Sequence, residues 1–516
     1  MLWGKNGKHR YRYRFLWVLQ ELYKKEHCSD YTKRSEWGVS TLPLIEELLK
    51  YINEDNAYFA MPGHKMGKGF HAVPQGKILL DNLLKFDVTE VDGLDNLHNP
   101  VGALQKAQSL LSEYYGSKKA YFLVNGSTSG NLAMIFATFK EGDKIIVERN
   151  CHRSIYNGII MRKLNPIYIK SKISSIYDAP FSIDKEHLFS LIEENKDAKG
   201  IVLTYPNYYG ICCDLKSIIK KAKEYNMEVL VDSAHGAHFG VIEDIPQNPI
   251  KLGADMVVQS AHKTLHSLTQ TSYLHVGEEV DIDKVNFYVS AFLSTSPSYI
   301  FLASMDYARF YLEEYGERAY TELLLLSKEY EEKINELNGF HIINDEDLSK
   351  EGIASENIKL IDRTRYVINV PREYSGHKLL DYLRTMRVQC EMSDNRNVVL
   401  IFSPANTRSD FERLYEALKK CNIEALKEKY VKPLEASIPQ LLKLPYEVLD
   451  EEKILVQLEE AVNKICGKAI VPYPPGIPLV MPGELVSKEI IEKIKYYAEN
   501  NITLLGVENL KVSILK

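Results

Sequence analysis

Apolar positions recur along this chain with two spacings, and the switches between them mark out its elements. After Thr41, placed to cap a helix, Leu44, Ile45, Leu48, Leu49 and Ile52 form one stripe at helical spacing, with Pro43 near its start. Val101, Leu104, Leu110, Leu111 and Tyr114 predict a second helix ending at Gly116. Between residues 100 and 300, short apolar runs at 120–124, 144–147, 201–204, 228–232 and 256–260 alternate with helix-length stretches. Strands that are apolar throughout and separated by helices predict a mostly parallel sheet with both faces covered.

The pattern changes again further on. A long helical stretch runs from about Ala303 towards Leu337, and a helix at 376–386 and a strand at 398–402 read as a smaller α+β domain. Pro433, Pro439 and Pro445 punctuate a linker, and Pro472, Pro474, Pro475, Pro478 and Pro482 predict tightly turned loops within a C-terminal domain. The expected organisation is therefore an extension over 1–40, a large α/β domain over 41–300, a small α+β domain over 301–430, and a linker with a C-terminal α+β domain over 431–516.

Composition narrows the functional classes. A chain of 516 residues can bury a core without disulfides or metal, and its seven cysteines show no framework or zinc spacing. The net charge of −6 gives no reason to expect nucleic acid as the main partner. No apolar run reaches the roughly 20 residues that span a bilayer, so no membrane association is expected and a cytoplasmic location is. Residues 1–38 differ, with nine Lys/Arg against four Asp/Glu, and Arg10, Arg12 and Arg14 alternating with Tyr11 and Tyr13. A solvated extension is the simpler reading of this arm, and nucleic-acid binding the sharper one.

The chemistry begins at Lys263, in Ser260-Ala261-His262-Lys263-Thr264, at the carboxyl end of a predicted buried strand, where open α/β sheets bind ligands. Desolvation there makes a lysine a nucleophilic amine. One β-α-β step earlier, Asp232 ends Val229-Leu230-Val231 and precedes Ser233, Ala234 and His235. An amine and a carboxylate at one sheet edge are what pyridoxal phosphate needs: a lysine for the aldehyde and an anion for the ring nitrogen. The turn from Asn125 to Asn131, with Ser127 and Thr128, offers an anion cradle at a helix start, and Ser260 could reach the same phosphate. His235 joins the cofactor-binding candidates, and His152, after Ile145-Ile146-Val147, could stack on the ring.

Together these residues resemble the ornithine/lysine/arginine decarboxylases of the aspartate-aminotransferase fold. The resemblance spans roughly 41–516. It is carried by Met61-Pro62-Gly63-His64-Lys65, Asp87-Val88-Thr89-Glu90, Leu94-Asp95-Asn96-Leu97-His98, the turn and sheet-edge motifs above, Tyr473-Pro474-Pro475-Gly476-Ile477-Pro478 and Pro482-Gly483-Glu484. It implies that Lys263 binds the cofactor covalently, that Asp232 partners the ring nitrogen and that His152 stacks on the ring. It further implies that Ser127 and Thr128 hold phosphate, that His262 assists catalysis, and that the chain forms a homodimer or a multiple of dimers. The separate N-terminal wing of the large inducible members is absent, and Ser233 stands where an acidic residue is frequent. The expected reaction is decarboxylation of arginine, lysine or ornithine, arginine slightly preferred. Glu484, Asp95 and Glu90, with Asp92, are the carboxylates expected to read the substrate cation. Transamination or elimination on the same cofactor, and a regulatory pseudoenzyme retaining the fold, are the alternatives.

Overall fold

The computed structural model describes residues 42–353, 359–434, 437–473, 477–500 and 502–516. The basic arm, the capping position Thr41 and most of the Tyr473–Gly476 motif lie outside the described residues or side chains. The chain divides into two compact units between Asn56 and Ala57. In the first, the amphipathic stripe forms the helix Pro43–Ile52, none of whose residues is buried. Its N-cap is Leu42, one position later than expected, and Pro43 occupies the first turn, where a missing N–H costs nothing.

The second unit is built on a seven-stranded sheet. Its strands are β1 (Lys119–Leu123), β2 (Lys144–Glu148), β3 (Asn165–Ile169), β4 (Gly200–Thr204), β5 (Glu228–Asp232), β6 (Met256–Gln259) and β7 (Ser272–Val276), in the order β1-β7-β6-β5-β4-β2-β3. Strands β3, β2, β4, β5 and β6 run parallel, while β7 is antiparallel to both β6 and β1. The protein is thus α/β with a mostly parallel central sheet, as expected. The buried apolar side chains of β2, β4, β5 and β6 are nearly all Val, Ile and Leu, because both faces of the sheet are covered.

Three helices position the site. Helix α1 (Ala103–Tyr115) ends at Gly116, whose φ of 71° suits a glycine C-cap. Helix α2 (Gly126–Thr138) follows β1, and α3 (Arg153–Arg162) follows β2. Because β4, β5 and β6 are adjacent and parallel, their carboxyl ends share one edge, where Asp232 aligns with Thr204 on one side and Val258 on the other.

A 37-residue helix, Tyr299–Asn335, leads to a four-stranded antiparallel sheet made of His341–Ile342, Arg365–Asn369, Asn397–Ile401 and Met392–Ser393. The C-terminal region has its own apolar core, including Leu458, Ile490, Ile494 and Tyr497. Around that core lie helix Lys488–Glu499 and a sheet of Lys453–Gln457, Lys511–Leu515 and Val507–Glu508.

Candidate active site

The edge formed by β5 and β6 gathers most of the expected chemistry. Ser260 caps the short helix Ala261–Thr264, which presents His262 and Lys263. The segment 61–65 closes tightly over this turn. Gly63 N donates to His262 O at 2.8 Å, and a Cβ on Gly63 would lie 2.4 Å from Leu265 O, so no larger residue fits there. Lys65, fully buried, donates to Ile401 O at 2.9 Å and to Ala60 O, which ties this segment to the four-stranded sheet.

Lys263 Nζ lies 3.1 Å from His235 Nε2. Burial lowers the pKa of Lys263, while the negative charges of Asp232 and Glu391 oppose the shift. Burial likewise pushes His235 well below the ordinary imidazole range, with Lys263 adding to the effect. The result is an amine readier to lose its proton than a surface lysine, beside a neutral imidazole. Asp232, buried at the end of β5, accepts from Asn131 Nδ2 at 2.8 Å and from Ala234 N at 3.1 Å.

The cradle at the start of α2 is made of hydroxyls. Ser127 Oγ lies 2.6 Å from Ser260 Oγ and 2.8 Å from Ser272 Oγ, bringing together the ends of β1 and β6 and the start of β7. Thr128 is exposed in the same helical turn. Amide groups at a helix N-terminus together with converging hydroxyls suit an anion such as a phosphate.

The two histidines expected to act in the reaction have opposite ring environments. His262 Nδ1 lies 2.8 Å from the carbonyl of Thr271. A carbonyl only accepts, so Nδ1 carries the proton and Nε2 keeps its lone pair. His152 is the N-cap of α3, where its Nδ1 accepts from Ser154 N at 3.2 Å and lies 2.7 Å from Ser154 Oγ. Burial lowers the pKa of both rings; Asp232 opposes the shift at His152, and the hydrogen bond to Thr271 opposes it at His262.

The carboxylates expected to read a substrate cation have partners or exposures of their own. Glu484 is 0% exposed, and its oxygens accept from Arg149 Nη1 at 2.7 Å and Nη2 at 2.8 Å, and from Met481 N at 2.7 Å. Its carboxylate is filled by a partner within the chain, and its place is a buried tie between β2 and the C-terminal region. Asp95 is likewise engaged within the chain. Its oxygens accept backbone N–H groups of Asn96, Val101, Gly102, Leu104 and Gln105, which makes it the anchor of the α1 N-terminus. These donors outweigh desolvation and hold its pKa below the ordinary carboxylate value. Glu90 and Asp92 are exposed.

Several residues at the site had no role assigned from sequence. Asn131 ends the cradle turn and Ser154 follows His152, but their link to Asp232, like the place of Ser272, exists only once the fold brings them together. Glu391, from the small antiparallel sheet region, accepts from Met61 N at 2.9 Å and from Tyr208 OH at 3.0 Å, and the Tyr208 ring packs 4.7 Å from that of His235.

Comparison with known proteins shows the family. Residues 42–410 match the Orn/Lys/Arg decarboxylase major domain, and residues 425–508 match the Orn/Lys/Arg decarboxylase C-terminal domain. The chain is 35% identical over 458 residues to Uncharacterized protein YaaO of Bacillus subtilis (strain 168), covering 88% of this chain and 93% of that protein. It is 32% identical over 482 residues to the arginine decarboxylase of the same organism, covering 92% and 97%. Among solved structures, the constitutive lysine decarboxylase of E. coli superposes with a TM-score of 0.70 at 20% identity, over 92% of this chain and 82% of that one, a likeness of fold. The chain belongs to the Orn/Lys/Arg decarboxylase family of carboxy-lyases.

Proposed function

We propose that this protein is a pyridoxal-phosphate-dependent decarboxylase of a basic amino acid, with arginine preferred over lysine and ornithine. The observation that carries the reading is the placement of Lys263 and Asp232 at the carboxyl ends of adjacent parallel strands, beside the hydroxyl cluster of Ser127, Ser260 and Ser272. The residues fit the cofactor by their chemistry. Lys263 is a desolvated amine able to bond an aldehyde, Asp232 an anion for the ring nitrogen, and the serine cradle a site for phosphate. His152 and His235 are the imidazoles that would flank the ring.

Bound there, the cofactor supplies an electron sink for the bond whose cleavage releases carbon dioxide. The chain's own residues do the rest. Asp232, fixed by Asn131 and Ala234, would hold a proton on the ring nitrogen by its charge. His262 keeps the Nε2 lone pair, so it can take up a proton and, with Lys263, return one to the substrate α-carbon.

Support for arginine comes from relatives named arginine decarboxylase at 30–32% identity, against 22–24% for those named lysine decarboxylase. With Glu484 and Asp95 occupied within the chain, the cation-reading group is sought elsewhere. A homodimer is part of this reading. Ile78, Leu84, Val91, Leu94, Val101 and Phe287 are large apolar side chains exposed on one chain, which suits a surface covered by a second copy. The test is product analysis by mass spectrometry with arginine, lysine, ornithine and a neutral amino acid of similar length. Amine product from cationic substrates supports the reading, and keto-acid product or preference for the neutral substrate overturns it.

A further inference from the structure

Three buried polar side chains form a line from Asp232 to His152. Asn131, wholly buried in α2, donates one amide hydrogen to Asp232 Oδ2 and the other to Ser154 Oγ, each at 2.8 Å. Ser154 Oγ in turn lies 2.7 Å from His152 Nδ1. A hydroxyl has one hydrogen. Ser154 Oγ accepts from Asn131 and has that one hydrogen to donate, and His152 Nδ1 is the acceptor within reach. The backbone N–H of Ser154 points at the same nitrogen from 3.2 Å. A proton on Nδ1 would face this second donor and leave the Ser154 hydroxyl hydrogen without its acceptor.

We propose that Ser154, oriented by Asn131, is a positioning residue that fixes His152 as the tautomer protonated at Nε2 and links its ring to Asp232. His152 then offers only an N–H, so it acts as a hydrogen-bond donor towards a bound anionic group such as the substrate carboxylate. It leaves proton uptake to His262, whose ring is held in the opposite tautomer by Thr271 O. The inference extends the functional reading above, but its structural core requires no turnover. Asn131 is the hub: one side chain sets both the carboxylate and, through Ser154, the imidazole, so the two cannot shift independently.

The experiment is nitrogen NMR of full-length protein labelled at histidine ring nitrogens, with and without pyridoxal phosphate, with His152 identified by the signals lost in His152→Gln. Wild-type protein should show His152 unprotonated at Nδ1 and protonated at Nε2 in both states. In Ser154→Ala the tautomers should mix and the ring should protonate at higher pH, while Ser154→Thr, which keeps the hydroxyl, should restore the wild-type pattern. With substrate, Ser154→Ala should lower kcat by about tenfold, the scale of one hydrogen bond. A proton on Nδ1 in the wild type overturns the proposal whether or not any variant folds, and so does a Ser154→Ala ring indistinguishable from wild type. Absence of decarboxylation with the expected tautomer would instead count against the functional reading alone.

Discussion

Lys263 Nζ and His235 Nε2 lie 3.1 Å apart, which pairs the amine that follows one strand with the imidazole that follows its neighbour. Burial drives both towards their neutral forms, with Asp232 restraining the shift on the lysine. A neutral amine is the nucleophile an aldehyde requires. Lys263→Ala should therefore abolish turnover and leave no borohydride-reducible cofactor attachment in peptide maps. Lys263→Arg should fail equally, because a guanidinium stays protonated. Reduced cofactor mapped to another lysine would end the assignment.

Asp232 is held as an acceptor by Asn131 Nδ2 and Ala234 N. Asp232→Asn keeps an oxygen for one of these donors, so the fold should survive, but it removes the charge that retains the ring-nitrogen proton. A fall in kcat of about a thousandfold is expected, as for a lost charge interaction made in the transition state. Steady-state kinetics on folded, cofactor-loaded protein would check it, and near-normal kcat would assign the role to another group.

The parts of this protein legible in its sequence are those where one local pattern dominates. Strands β2, β4, β5 and β6 are buried on both faces, and their unbroken apolar runs showed it. Asp232 ends such a run and Lys263 follows one closely, which makes both conspicuous. Two sheet strands leave no such run in the sequence. β3 contains Pro166, tolerated because β3 lies at the edge of the sheet, and β7 carries Ser272 and His275, polar residues buried through partners elsewhere in the chain. His275 reaches Gln259, its diagonal neighbour on β6, at 3.0 Å, a contact made only once the two strands are side by side. The same reason hid Asn131 and Ser154 and misdirected Glu484. A carboxylate in a family motif looks available for substrate until Arg149, 335 residues earlier, is found against it.

The Arg149–Glu484 pair makes its own prediction. Both side chains are nearly inaccessible, at 3% and 0% exposure, and Arg149 also donates to Pro478 O at 3.0 Å. Glu484→Gln leaves a buried guanidinium without its counter-charge, and should cost about 3–5 kcal/mol in denaturant unfolding. Replacing both partners, Arg149→Met with Glu484→Leu, should recover much of that loss, because no charge is then stranded. Per folded molecule, kcat/KM in Glu484→Gln should change equally for arginine, lysine and a neutral analogue. A selective loss on cationic substrates would show that Glu484 reads them after all.

The last prediction concerns Glu148, at the end of β2 and next to Arg149 in sequence. Its side chain is buried and accepts from Thr204 N at 3.0 Å, and burial pushes its pKa up from 4.5 to about 7, with Asp232 adding to the rise. A carboxyl whose pKa is raised on folding binds its proton more tightly in the native state. Its favourable contribution is therefore complete below its unfolded value and is lost as pH rises through about 7. The interval between the two values corresponds to about 3 kcal/mol. Glu148→Gln keeps an oxygen for Thr204 N and cannot ionise, so it should remove this dependence. Urea unfolding of both proteins from about pH 5 to pH 8 isolates the effect, because every other titrating group is common to the two. The stability of Glu148→Gln relative to wild type should rise with pH by up to about 3 kcal/mol, most steeply between the unfolded value and about 7, and level off above it. A difference that stays constant over that range would mean Glu148 is already ionised at the lower end. Its burial beside Thr204 would then be balanced by a compensating interaction other than protonation.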